Sequence, residues 1–163
     1  MYTIAVYPGS FDPVTLGHLS VLARAAGVFS EVHVLVVHNP DKATTFSIAE
    51  REAMLRDAID EAGIKGKVVV SSLSSGLLVD KAVSLGAKAI IKGFRTSGDI
   101  EYEIPMAQVN RDLSGLETVF LPSEPGFGFV SSSLVRQVSS LGGDVSKYVT
   151  PKVAAALKVK FSK

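Results

Sequence analysis

The sequence predicts an α/β protein with a doubly wound, five-stranded parallel sheet. Three observations carry this reading. Five short β-branched runs alternate with segments of helical periodicity. The runs are apolar almost throughout, as in strands buried on both faces, rather than at every second residue. Each helical segment is bounded by glycine, proline or a capping residue. The chain of 163 residues is expected to form one domain over 1–163, with C-terminal helices from about residue 131.

The first strand is Thr3 to Tyr7, which runs into Pro8-Gly9-Ser10. After Asp12-Pro13, Thr15-Leu16-Gly17-His18 opens a helix whose apolar residues Leu19, Val21, Leu22, Ala25 and Ala26 recur at helical spacing until Gly27. A strand, a glycine-bearing turn and a helix start make a geometry that binds phosphate, because the first helical N–H groups lack acceptors and the dipole favours anions. On the turn alone, an ordinary βα connection with a solvent-facing histidine fits equally well.

Glu31 to Val37 is a second strand, with His33 expected to be packed or at an edge rather than a ligand. His38 to Lys42 forms the loop at its carboxyl end. Ser47-Ile48-Ala49-Glu50 is a capping box opening a helix to about Glu61. The charges Glu50, Arg51, Glu52, Arg56, Asp57 and Asp60 are expected on its solvated face and receive no chemistry. Lys67 to Ser71 is the third strand and Leu77 to Leu85 the third helix. Ala87 to Ile91 is the fourth strand, delivering Lys92-Gly93-Phe94-Arg95 at its carboxyl end.

A longer helix is expected over Asp99 to Leu113. Pro105 inside it predicts a kink or two pieces, since proline removes a hydrogen bond and clashes with the preceding turn. Glu117 to Leu121 is the fifth strand and Pro122 to Gly128 a loop. Val130-Ser131-Ser132-Ser133 opens a helix through Leu141. Thr150-Pro151, a cap followed by proline at the first helical position, starts the last helix.

Composition narrows the chemistry. A net charge of +1 with 20% charged residues gives no general pull toward nucleic acid or acidic membranes, so neither is an expected partner and any anion site must be local. The absence of cysteine removes disulfides, thiolate metal sites and cysteine nucleophiles. No basic-then-apolar leader and no long apolar run appear, so a cytoplasmic location is expected. In parallel sheets, ligands bind beyond the carboxyl ends of the strands. That rule gathers Pro8 to His18, His38 to Lys42, Lys92 to Arg95 and Pro122 to Ser133 into one crevice, each with something to hold an anion.

Gly9-Ser10-Phe11-Asp12-Pro13 with Thr15-Leu16-Gly17-His18 resembles the T/H-x-G-H motif of the nucleotidyltransferase superfamily. Ser131-Ser132-Ser133-Leu134-Val135-Arg136 resembles its second motif, S-S-[ST]-x-x-[RK]. Lys42, the K-G-F-R element at 92–95, D-x-E-Y-E at 99–103 and F-G-F-V-S-S-S at 127–133 extend the match. Together they resemble the bacterial phosphopantetheine adenylyltransferases over nearly the full length.

The resemblance implies a Rossmann-like nucleotidyltransferase fold. It implies that ATP and 4′-phosphopantetheine give dephospho-coenzyme A and pyrophosphate with Mg²⁺, in a homohexamer that coenzyme A inhibits by feedback. It implies that Ser10, Phe11, His18, Gly93, Phe94, Arg95, Glu103 and the run Phe127, Gly128, Phe129, Val130, Ser131, Ser132, Ser133 hold ATP. It makes Ser10, Lys42, Leu78 and Lys92 the phosphopantetheine contacts, and His18 the transition-state stabiliser. His18, Lys42, Lys92 and Arg95 form the catalytic set, with the metal's ligands unassigned.

Residue 94 is more usually leucine in that family, and residue 92 is often arginine, so bidentate phosphate binding becomes a point-charge contact. Blander readings exist for several positions. Lys42 reads also as a solvated loop lysine, Glu103 as a partner of Arg111, Leu78 as core, and the serines as a helix cap. Rival functions are a nucleotidyltransferase with another acceptor, a nucleotide sensor without catalysis, and an interaction domain.

Overall fold

The computed structural model describes residues 1–38 and 43–162. Five parallel strands, β1 (Ile4–Gly9), β2 (Glu31–Val37), β3 (Lys67–Leu73), β4 (Ala89–Phe94) and β5 (Glu117–Pro122), form one sheet in the order β3-β2-β1-β4-β5. The helices are α1 (Leu16–Val28), α2 (Ile48–Glu61), α3 (Leu78–Ser84), α4 (Ser97–Ser114), α5 (Ser132–Ser140) and α6 (Pro151–Phe161). A 3₁₀ turn, Pro125–Phe127, precedes α5. The strand order reverses beside β1, and the crevice opens there at the carboxyl ends.

Period-two alternation splits the strands between two cores, as a sheet covered on both faces requires. Ala5, Tyr7, Val32, Val34, Val36, Ala89 and Ile91 pack with α1, α2, α5 and α6. Val6, Leu35 and Ile90 face the other way, against Val79 and Ala82 of α3. His33 lies in an interior strand, where its Nε2 is 2.8 Å from Glu31.

Several expectations need correction. Gly27 does not end α1, which runs to Val28 before the chain turns extended at Phe29. β4 starts later and ends later than expected, so Lys92, Gly93 and Phe94 belong to the strand. Pro105 neither breaks nor divides α4, which is one helix over its 18 residues and stops at left-handed Gly115. Most of α4 is solvent-facing, with only Asn110 buried, so the turn before the proline has room to adjust. Thr150 stands at the cap of α6 but its hydroxyl makes no cap bond and is buried without a partner. Arg51 is not on a solvated face at all; it is 1% exposed.

Candidate active site

The turn after β1 is held in a strained shape. Phe11 has φ 46°, in the left-handed region where non-glycine residues cost on the order of 1–3 kcal/mol and persist only if their surroundings fix them. Its ring is buried and packs edge-to-face on Tyr7 (5.4 Å) and on His18 (5.0 Å). A Cβ at Gly9 would sit 2.9 Å from the Phe11 ring, so any larger residue there forces the ring to shift. Asp12, also buried, accepts from the backbone N–H groups of Thr45 (2.8 Å) and Phe46 (2.9 Å). The loop before α2 is thereby tied to the turn.

Thr15 caps α1, and its partner in the capping box is an imidazole where glutamate is the common choice. The Thr15 backbone N–H donates to His18 Nδ1 at 3.0 Å, while Thr15 Oγ1 accepts from the His18 N–H at 3.4 Å. Burial first, then the Arg95 cation, pushes the His18 imidazolium down to about 4, so the ring is neutral near pH 7. With Nδ1 accepting, the proton sits on Nε2.

His18 lines a cavity of about 320 Å³ with Gly93, Arg95, Glu103, Phe127, Val130, Ser131 and Ser132 among its walls. Three helix N-termini border it: Thr15 and Gly17 of α1, Gly98 and Asp99 of α4, Ser131 and Ser132 of α5. Helix N-termini favour anions through their free N–H groups and dipoles. Arg95 is steered by its own neighbours. Its Nη1 donates to the Val130 carbonyl (3.3 Å) and its Nε lies 3.4 Å from Asp99. Burial works against the Asp99 charge, but the Arg95 and Thr96 N–H groups and the Arg95 guanidinium outweigh it and hold the carboxyl below its usual range.

The three serines have three separate partners, more than a helix cap needs. Ser131 Oγ accepts from the Leu134 N–H, Ser132 Oγ donates to the Pro13 carbonyl at 2.8 Å, and Ser133 Oγ accepts from Arg136 at 3.3 Å. Arg136 also donates to the Asp12 carbonyl. A second cavity of about 360 Å³ continues from Ser132, with Ser10, Ser133 and Arg136 in its wall.

Other predicted residues stand further back. Lys92 Nζ is paired with Glu103 at 3.0 Å, whereas Arg111 takes Glu117 at 3.2 Å. Glu103 therefore faces Lys92 and the cavity, not Arg111. Phe94 is partly buried at the end of β4, and Gly128 closes the 3₁₀ turn. Phe129 is exposed and meets Tyr148 edge-on. Leu78, at the start of α3, packs on the smaller core. Lys42 lies outside the described residues. Arg51 was missed: it donates to the Phe46 carbonyl at 3.1 Å and to the Ser10 carbonyl at 2.8 Å.

The chain is similar to known proteins along nearly its whole length. The chain is 58% identical over 157 residues to the phosphopantetheine adenylyltransferase of Leifsonia xyli, covering 96% of this chain and 98% of that one. It is 53% identical to that of Clavibacter michiganensis, covering 98% of each.

The chain belongs to the phosphopantetheine adenylyltransferase family.

A cytidylyltransferase-like family model matches residues 6–138, which takes in both motifs of this adenylyltransferase-family chain. Among solved structures, Plasmodium falciparum nicotinic acid mononucleotide adenylyltransferase superposes with a TM-score of 0.73 at 18% identity, covering 99% of this chain and 96% of that one. That likeness shows a shared nucleotidyltransferase fold. Among the described residues, no helix is long and apolar enough to cross a membrane.

Proposed function

We propose that the crevice transfers the adenylyl group of ATP to 4′-phosphopantetheine, giving dephospho-coenzyme A and pyrophosphate, the penultimate step of coenzyme A biosynthesis. The observation that carries this reading is His18, pinned through Nδ1 by the Thr15 N–H and lining a cavity bordered by three helix N-termini. The nucleophile is a phosphate oxygen, ionised at neutral pH, so no side-chain base is required. It attacks the α-phosphorus, a new P–O bond forms, and the bond to the bridging oxygen breaks to release pyrophosphate. The task for the protein is positioning and fixed positive potential.

In this reading His18 Nε2–H donates to an α-phosphate oxygen as charge builds there. Arg95 and the α5 N-terminus at Ser131 to Ser133 hold the β- and γ-phosphates, with Gly93 leaving room beside the nucleotide. Ser10 and the backbone of Phe11 meet phosphate at the turn. Glu103 orients Lys92, which with Lys42 receives the acceptor phosphate, and Leu78 lines the path of the pantetheine arm. Phe94, Phe127, Gly128, Phe129 and Val130 shape the nucleotide's surroundings.

Mg²⁺ suits this arrangement as an ion carried by the triphosphate. Among the described residues no cluster of three or more His, Asp or Glu could cage a metal, and magnesium is commonly held by substrate phosphates and water with few protein ligands. Bound in that way it supplies charge neutralisation across the phosphates. The exposed apolar residues Met106, Val109 and Leu113 on α4 support assembly with further copies of the chain, in the homohexamer that the family resemblance implies. Coenzyme A, which shares the product's pantetheine and nucleotide ends, acts as feedback inhibitor, and the reaction takes place in the cytoplasm.

The test is pyrophosphate release from ATP with each acceptor in turn. Turnover with 4′-phosphopantetheine and none with nicotinate mononucleotide is the expected result; the reverse preference would overturn the assignment.

A further inference from the structure

Arg51 sits in the first turn of α2, directly after the Glu50 of its capping box, with its guanidinium sealed from solvent. Arginine is almost never fully buried unless a partner compensates its charge. Among the described residues Arg51 has no carboxylate partner; its recorded acceptors are two backbone carbonyls, those of Phe46 and Ser10. The nearby buried Asp12 is engaged with the Thr45 and Phe46 N–H groups and approached by Arg136 at 3.8 Å. A cation thus lies directly behind the turn that leads from β1 to α1.

The bond to Ser10 has a geometric consequence. The Ser10–Phe11 peptide is trans, the cis bond of this turn being Asp12–Pro13. In a planar trans peptide the C=O and the next N–H point in opposite directions. With the Ser10 carbonyl held by Arg51, the Phe11 N–H is turned away from α2. Phe11 is the residue with left-handed φ, a conformation that needs outside support. Ser10 itself is exposed and lines the second cavity.

We propose that Arg51 is a positioning residue for the phosphate-binding turn: it fixes the Ser10 carbonyl so that the Phe11 N–H is presented to a phosphate oxygen, and it places a positive charge behind that oxygen. This rests on reading the turn as a phosphate site.

The test compares wild type, Arg51→Met, Arg51→Lys and His18→Ala as full chains, by pyrophosphate release, calorimetric binding of inorganic pyrophosphate, and thermal melting. Arg51→Met should raise the KM for ATP and weaken pyrophosphate binding, lowering kcat/KM by about 10²-fold, the loss that a small misplacement of binding groups produces. Arg51→Lys should lose about tenfold, since an ammonium keeps the charge but not the two-pronged reach.

A lowered melting temperature with wild-type pyrophosphate affinity and KM would make Arg51 structural only and overturn the inference. If Arg51→Met does not fold, Arg51→Lys decides by the same two readouts. Loss of kcat in His18→Ala with pyrophosphate binding unchanged in both Arg51 variants defeats this inference alone. Intact His18→Ala and no pyrophosphate binding by wild type would instead defeat the reading of the site.

Discussion

The backbone N–H of Thr15 donates to Nδ1 of His18 at 3.0 Å, so one side of the imidazole is occupied within the helix cap and only Nε2 is free to meet substrate. The two residues act as a unit: the cap that starts α1 also selects the tautomer and aims the ring. The ¹⁵N shifts of His18 are expected to show a protonated Nε2 and an unprotonated Nδ1 at pH 7. The opposite tautomer would separate the cap from the chemistry.

Replacing His18 with alanine should lower kcat by about 10²–10³, the usual loss when one preorganised donor to a developing oxyanion is removed. The KM for ATP should change little, because the proposed site gives the β- and γ-phosphates other partners. Steady-state kinetics of pyrophosphate release checks this. An unchanged kcat would remove His18 from its assigned role.

The depressed His18 value has a defined sign. Its folded state titrates at about 4 against an ordinary 6.5, so the unfolded chain binds the proton more readily. The stability contributed by neutral His18 is fully present above 6.5 and is lost as pH falls from there toward about 4. The kcat/KM profile, which reports groups of the free enzyme, should accordingly show no inflection near 6.5 from this residue. Denaturant melts of wild type and His18→Gln between pH 4 and pH 7 should diverge in that window.

Glu31 offers a second pH probe at the opposite end of the sheet. The hydrogen bonds from Lys67 and Tyr2 lead in holding its carboxyl down at about 2 from an ordinary 4.5. The stabilisation is present above 4.5 and is lost as pH falls toward about 2. Glu31→Gln should flatten the acid limb of the stability curve while leaving turnover at pH 7.5 unchanged.

Gly9→Ala should cost about 1–3 kcal/mol, the usual range for overpacking, because the new methyl meets the Phe11 ring at 2.9 Å. Turnover should fall with stability, since the same ring abuts His18. Thermal melting and kcat measured together test the linkage. A loss of stability with full turnover would show that the ring does not position the imidazole.

Strand–helix alternation was legible from period and punctuation, and so were the capping box at Ser47 and the two family motifs. What escaped has physical causes. Arg51 was placed among surface charges by its residue type, although it falls at positions i, i+3, i+4 and i+7 with Met54, Leu55 and Ala58 on the buried stripe of α2. That spacing was the available signal. Lys92 and Glu103 come from different elements, so their pairing at 3.0 Å is a tertiary fact that local pattern cannot carry. Gly27 was read as a helix stop, but it lacks the left-handed conformation that commonly ends one; α1 runs one residue further and ends where Phe29 turns extended. The fit of the Phe11 ring between Tyr7 and His18 likewise depends on packing, not on composition.

The sheet order β3-β2-β1-β4-β5 also bears on how the chain is born. Although β1 is translated first, its far edge stays open until Ala89–Phe94 has cleared the ribosome, and the preceding half can assemble only a three-stranded fragment with an unsatisfied border. Such a border invites pairing with other nascent chains. Translation speed through the stretch between β3 and β4 therefore sets how long each new molecule is exposed to that hazard.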